Sequence, residues 1–381
     1  MDMAPSTVDD MSVRTAPAQG WQPLPQGWTE LAEHASEPNP FFHPAILCPA
    51  LQHLDSEKTV HVIEAHQGGQ LIGLMPAKAL THHTRYPVHN VGNWVHDQCF
   101  FGAPLMRKGM EHAAWALILE QLDAAPWAGN FIHMEGLDKD GPIVAALHDC
   151  CAEQKRPIAA IATHERALLR SGLDADAYWQ ANVRSKKRKE IRRLINRLED
   201  NGSITHNRLR DGGDVTRWTQ EFLALERSGW KGEEGTALDS QEHSRAFFTQ
   251  SLANAHEAGM LDMLRIDLDG APIAMLVNFH MGRGAFSYKI AFDEKFARYS
   301  PGVLIEIDNL RAALCDPDLD WMDSCAASGH PMIDGIWAER RTMIQYRIAL
   351  KGSGLSGFKR RALFHATSLA ETMIRSVKGE K

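Results

Sequence analysis

The sequence predicts an α/β protein in two halves, each with its own sheet and flanking helices. Three observations carry this reading. A glycine hairpin near residue 68 opens an alternation of helix and strand signals that runs to residue 163. Three strand signals over 260–292 lead into a capped helix and a further strand. The two halves share one broad order of elements, which points to a duplication on a scale of roughly 150 residues and not to a short solenoid period.

Residues 1–20 carry Asp9, Asp10 and several prolines and alanines, with no basic-then-apolar pattern. They are expected to form a disordered tail, not a secretory signal. Residues 21–58 read as irregular because prolines recur at 23, 25, 38, 40, 44 and 49; within them Phe41 and Phe42 form an extended aromatic stretch. Strand-like runs at 60–65 and 71–77 flank Gly68-Gly69, a hairpin signal. A third strand is expected at 98–105, then a helix over 111–124, a strand at 131–135, a helix over 142–154 and a strand at 158–163. Together these make a first domain of residues 21–170.

The second domain, residues 171–381, opens with a long helix over 175–200 closed by Asn201-Gly202 as a C-cap. A strand at 204–209 and helices over 215–228 and 242–257 follow. Strands at 260–268, 273–280 and 285–292 are joined by the turns Asp269-Gly270 and Gly282-Arg283-Gly284 as a meander. A helix over 301–314, strands at 319–325 and 343–350 and a final helix over 358–377 complete it.

Composition narrows the function classes. The chain of 381 residues is 44% apolar and 23% charged, as globular proteins are, and its formal charge is −7. That charge gives no electrostatic reason to expect nucleic acid as a partner. Six cysteines include no C-x-x-C pair, and a disulfide framework is not expected in a chain of this size with no secretory signal. His82, His83, His89 and His96 match no tight metal spacing, and no metal is expected. No apolar run reaches the roughly 20 residues a membrane helix needs, and the protein is expected in the cytoplasm.

The strongest physical signal is the turn at 296–304. Ser300 suits an N-cap, Pro301 suits the first helical position, and Gly302 removes a side chain where the helix begins. Val303, Leu304, Ile307, Leu310 and Leu314 follow helical spacing. Such a start has unpaired N–H groups and a positive dipole end, which attract phosphate. Arg298 adds a charge just ahead of it. A plain capped helix has the same signature. A second signal is the segment 184–197, where eight basic residues meet one acid, Glu190. Ile191, Leu194, Ile195 and Leu198 form its buried stripe, so the bases crowd the other face, either as a solvated face or as an anion-attracting patch.

Several segments together resemble a known family. They are Phe41-Phe42; 184–193, reading Arg-Ser-Lys-Lys-Arg-Lys-Glu-Ile-Arg-Arg; 226–232, Glu-Arg-Ser-Gly-Trp-Lys-Gly; 269–274, Asp-Gly-Ala-Pro-Ile-Ala; 288–294, Tyr-Lys-Ile-Ala-Phe-Asp-Glu; and 300–302, Ser-Pro-Gly. In this order the chain resembles the GNAT acyltransferase superfamily, specifically its CelD/BcsL-like members related to the FemAB-like fold. The resemblance implies two GNAT-like halves, each a mixed, mostly antiparallel sheet flanked by helices. It implies acetyl-CoA or another acyl-CoA as co-substrate of the second half. The family's pyrophosphate loop reads Gln or Arg, two residues, Gly, one residue, then Gly or Ala. Arg298 fits its first position, Pro301 and Val303 stand where small residues are expected, and Gly302 lies between. The implied cofactor contacts are Ile290, Arg298, Tyr299, Ser300, Gly302, Val303 and Leu304.

Acyl transfer needs a neutral nucleophile, an oxyanion stabiliser and a proton route. In such a fold the strand over 287–292 supplies a backbone N–H to the thioester oxygen. The polar candidates for chemistry are Tyr288, Lys289, Asp323 and Glu339. The loop over 330–341, with His330, Asp334, Trp337, Arg340 and Arg341, is richer than a plain connector needs and is expected to line the acceptor site. The resemblance adds Trp230 and Lys231. The expected reaction moves an acyl group from acyl-CoA to an amine or hydroxyl of a small molecule or glycan, as in polysaccharide or cell-envelope metabolism. Two rivals are a FemAB-like aminoacyl transfer from charged tRNA and a non-catalytic binding protein on a degenerate fold.

Overall fold

The computed structural model describes residues 11–17, 26–83, 85–229, 232 and 234–378, with side chains described through Glu371. They divide into two compact units: residues 1–43, 57–164 and 342–381 form one, and 44–56 with 165–341 form the other. The chain crosses from the first unit to the second at 43/44 and again at 164/165. The return of 342–381 to the first unit, and the lending of 44–56 to the second, are not visible in the sequence.

In the first unit Gly68 and Gly69, both at positive φ, turn strand β2 (Val60–Gln67) into β3 (Gln70–Leu80). β1 (Met11–Pro17) pairs antiparallel with β2, so part of the segment read as a tail is strand. β3 pairs with β4 (Asn90–Asn93), which runs parallel to β6 (Phe131–Asp138). β6 pairs antiparallel with β13 (Glu339–Ala349). Helices α3 (Glu111–Ala124) and α4 (Pro142–Glu153) pack on each other, and α3 also packs on β2 and β3. The last helix, α10 (Gly354–Lys378), places Phe364 against Phe131 and Ala349. A helix α1 (Trp28–Glu33) lies in the stretch expected to be irregular; its Trp28 indole donates to the Phe42 carbonyl at 3.0 Å.

The strand expected at 98–105 is absent; only Leu105–Met106, β5, pairs, with β3. Side chains claim the carbonyls a ladder would use. Asn39 donates to Phe101 O at 3.1 Å and Ala103 O at 2.7 Å, and Asn93 donates to Gly102 O at 2.8 Å. Backbone groups held this way cannot also serve a neighbouring strand.

The second unit repeats the same scheme. β8 (Ile204–Leu209), β9 (Leu261–Leu268), β10 (Ala271–Met281) and β11 (Gly284–Phe292) form an antiparallel run, and β12 (Trp321–Asp323) joins β11 in parallel. The end of β7 (Ile158–Leu169) pairs antiparallel with β12 through Leu168 and Leu169. Each unit is thus a mixed, mostly antiparallel sheet with flanking helices, as expected. Helices α7 (Val215–Arg227) and α8 (Glu242–Glu257) pack on each other, and α9 (Pro301–Leu314) packs on β9, β10 and β11.

Two helical expectations need correction. The helix expected over 175–200 breaks into α5 (Ala175–Asn182) and α6 (Ser185–Glu199). Arg188 Nη1 donates to Gln180 O at 2.8 Å and Val183 O at 2.5 Å, satisfying carbonyls left open at the end of α5. The other is α2 (Pro44–His53), in a region read as irregular for its prolines. Pro49 cannot bond the Ala45 carbonyl, and Asn254 Nδ2 on α8 takes that place at 3.3 Å. An outside donor makes an internal proline tolerable here.

Candidate active site

The sequence of β11 sets up the site. Val277 pairs with Lys289, and the next residue, Asn278, pairs with Ser287. Tyr288 is therefore an extra residue, a β-bulge, of the kind enriched beside active sites. Its ring packs on Phe279 and Phe248, with centroids 4.8 and 6.4 Å away, and Lys289 Nζ lies 5.5 Å from it. β12 accompanies β11 only from Gly284 to Phe286. Past Asp323 the chain turns away, and Ser324 N–H donates to Ala167 O at 3.1 Å. The edge of β11 from Ser287 onward, Ile290 included, then faces no strand among the described residues.

After β11 a short helix leads to the start of α9. Ser300 stands in the N-cap position at φ +54, yet its side chain makes no capping bond, contrary to expectation. Its carbonyl accepts from Val303 N at 2.9 Å and Leu304 N at 3.1 Å. Pro301 has no N–H, which leaves Gly302 to offer the free donor of the first turn. Gly302 is buried: a Cβ there would lie 2.8 Å from Met332 Sδ and 3.3 Å from Phe292. Arg298 is exposed, its guanidinium 4.7 Å from the Tyr299 ring. Tyr299 is buried, with Asn201 Nδ2 3.0 Å from its hydroxyl. Val303 and Leu304 belong to the core.

Beneath the bulge lies a polar chain that sequence reasoning missed. Glu306 on α9 is only 5% exposed. Asn309 Nδ2 lies 3.4 Å from both Glu306 Oε2 and Ser287 Oγ, and Asn309 Oδ1 accepts from Asn278 at 2.8 Å. Asn278 also approaches Asp262 at 3.3 Å, and Arg208 holds Asp262 by two bonds of 2.7 and 3.1 Å. Burial pushes the Glu306 carboxyl up to about 7, against a smaller opposing effect of the Asn309 bond. Asp262 is drawn down to about 2: burial opposes ionisation, but His280 and Arg208 outweigh it. A signal for Glu306 existed, because it falls on the same helical face as Val303, Ile307 and Leu310.

The other expected residues gather differently. Asp323 is fully buried between Arg166 and Arg341, with contacts of 2.7 Å to each, and accepts Cys325 N–H at 2.9 Å. Those partners outweigh its burial and hold it below the usual carboxylate range. Arg341 also stacks over Trp321 at 4.3 Å. Glu339 accepts the Tyr178 hydroxyl at 2.8 Å. Arg340 binds the Trp337 and Glu339 carbonyls, each at 2.8 Å. Trp337 is a core residue. His330 Nδ1, Asp334 Oδ1 and Trp337 Nε1 are buried with no hydrogen-bond partner. They stand at helical spacing over two successive turns, where Asp334 N–H donates to His330 O and Trp337 N–H to Ile333 O, each at 3.0 Å. Trp230 and Lys231 lie outside the described residues. The bases of α6 are mostly exposed, and Ile191 and Leu198 are buried. No His, Cys, Asp or Glu group able to hold a metal is found among the described residues.

Comparison with known proteins bears on this arrangement. Residues 185–329 match the family described as the acetyltransferase (GNAT) domain. Three solved structures share the fold of most of the chain. FemX is 8% identical with a TM-score of 0.56, covering 88% of this chain and 96% of its own. A protein of unknown function from Bacteroides thetaiotaomicron is 13% identical with a TM-score of 0.54, covering 85% and 95%. The C-terminal domain of a lysylphosphatidylglycerol synthetase candidate from Agrobacterium fabrum is 13% identical with a TM-score of 0.51, covering 90% and 94%. No curated protein matches the chain.

Proposed function

We propose that this chain, which carries a GNAT acetyltransferase domain and has the FemAB-like double GNAT fold, transfers an acyl group from acyl-CoA to an amine or hydroxyl acceptor. The observation that carries the reading is the edge of β11, which no strand among the described residues accompanies beyond Phe286, beside the Tyr288 bulge and the start of α9. A backbone N–H on that edge suits the thioester carbonyl, where negative charge develops during attack. The acceptor's lone pair adds to that carbon, the tetrahedral oxyanion collapses, and the C–S bond breaks to release CoA thiolate. The acceptor's proton passes to a base and then to the thiolate.

Glu306 is the carboxyl best suited to act as that base, directly or through a water, because its proton is poised near neutrality. Asp323 is held ionised by two arginines and suits structure better. Arg298 and the Gly302 N–H are the proposed pyrophosphate contacts. Met332 has to swing aside to admit the ligand, as an unbranched side chain can. The motif order that resembles CelD/BcsL-like members favours a glycan or cell-envelope acceptor, facing the loop of His330, Asp334, Trp337, Arg340 and Arg341.

Calorimetric titration with CoA and acetyl-CoA tests the reading. Binding by the wild type is expected, weakened about tenfold by Arg298→Glu through charge reversal beside the phosphates and abolished by Gly302→Glu. Silence of the wild type, or binding indifferent to both changes, removes the phosphate assignment. A second reading, aminoacyl transfer from charged tRNA, draws on the exposed bases of α6. It requires tRNA binding that falls steeply with salt; a flat salt response rejects it.

A further inference from the structure

Helix α10 has two opposite faces that both carry apolar side chains. One turns Phe364 and Thr367 into the first unit. On the other, Leu355, Phe358, Ala362, Ala366 and Leu369 are all exposed. Their spacing keeps them on one stripe of the helix. Leu355, Phe358 and Leu369 are 89%, 75% and 61% exposed, the three most exposed large apolar side chains among the described residues. A stripe of this length turned away from the core marks an interaction surface.

At its N-terminal end the stripe meets a cavity of about 500 Å³, and Phe358 belongs to both. Lys155, Arg156, Lys351 and Arg361 line that cavity, and no carboxylate does. Arg156 is occupied by Asp123, 2.6 Å away. The side chains of Lys155, Lys351 and Arg361 form no ion pair among the described residues, although the Lys351 backbone N–H donates to Asp123 Oδ1 at 2.6 Å. Lys359 is exposed on the next helical position. In a chain of net charge −7 this concentration of cations beside exposed leucine and phenylalanine is local and one-signed. The backbone there is fixed by close packing: a Cβ on Gly357 would lie 2.2 Å from the Gly352 carbonyl oxygen.

We propose that this face docks the protein on an anionic phospholipid bilayer. Leu355, Phe358 and Leu369 enter the boundary between headgroups and acyl chains, while Lys155, Lys351 and Arg361 take headgroup phosphates at the cavity. A helix with an apolar stripe flanked by lysine and arginine lies in the plane of such an interface. A soluble phosphorylated ligand accounts for the cations but leaves the stripe exposed. A second copy of the chain covers the stripe but, in a two-fold pairing, brings like charges together.

The test is flotation of the full-length protein with vesicles of phosphatidylcholine alone or of phosphatidylcholine with phosphatidylglycerol. Binding is expected only to the second kind, and it weakens as salt is raised. Leu355→Asp with Phe358→Asp abolishes it. Lys351→Gln with Arg361→Gln weakens it roughly thirtyfold at low salt. All four side chains are exposed, so circular dichroism and the Tm of both variants match the wild type. Failure to bind phosphatidylglycerol vesicles overturns the proposal, as does binding that both variants leave intact. A wild-type dimer in sedimentation equilibrium that the Leu355/Phe358 variant dissolves assigns the stripe to chain pairing instead. Glycerol phosphate binding at the cavity without vesicle binding assigns a soluble phosphate ligand.

Discussion

Glu306, the proposed base, also bears on stability. Its carboxyl keeps its proton up to about pH 7 in the folded chain, against an ordinary 4.5. The folded state therefore binds more protons between those values, and this group's contribution to stability falls as pH rises through that window. Glu306→Gln removes the penalty. The variant is expected to match the wild type in denaturant unfolding near pH 4.5 and to exceed it by about 3 kcal/mol at pH 8. The same change should lower kcat by about a hundredfold or more and erase the rise of rate with pH near 7. Asp323→Asn tests the opposite role. It leaves Arg166 and Arg341 buried without their counter-charge, and unfolding should cost about 3–5 kcal/mol less. The helix start at Pro301 was legible in the sequence because a proline at the first helical position acts locally, although Ser300 makes no capping bond. The bond between Asn309 and Ser287 joins a helix to a strand, and no local pattern announces it.

Elements whose hydrogen bonds are internal were legible almost to the residue, as α3 and α9 show against the expected 111–124 and 301–314. Those completed from a distance were not. The apolar run at 98–105 has strand composition because Phe101, Ala103 and Leu105 are buried, but Asn39 and Asn93 take its carbonyls. Asn93 also receives Glu135 N–H at 2.8 Å and donates to Glu135 O at 2.9 Å. Asn93→Ala leaves these groups unpaired together with Gly102 O. Chemical denaturation should register a loss of about 2–4 kcal/mol, well beyond an ordinary surface change. The proline in α2 teaches the same lesson, since its tolerance depends on Asn254, far along the chain.

At the scale of the molecule, the duplication suspected from element order is visible in the strand pairings of the two units. Each has an antiparallel run followed by one parallel step, β4 to β6 and β11 to β12. Periodicity tells that a strand exists but not which sheet it joins, which is why the destination of β13 and α10 was hidden. Ending the chain after Arg341 removes β13's partners for β6 and the Phe364 side chain that covers Phe131. Such a truncation is expected to leave the first unit unfolded, with loss of amide protection across residues 60–138 in hydrogen exchange.

The division of the chain also sets a timetable for synthesis. Domains ordinarily fold in the order in which they leave the ribosome. Here every residue of the second unit has been made once Arg341 is added, while the first unit still lacks its last segment, 342–381. At about 5–20 residues per second the ribosome needs a few seconds more to supply it. The second unit is thus fully made before the first, whose open sheet edge at β6 waits for residues 342–349 to arrive.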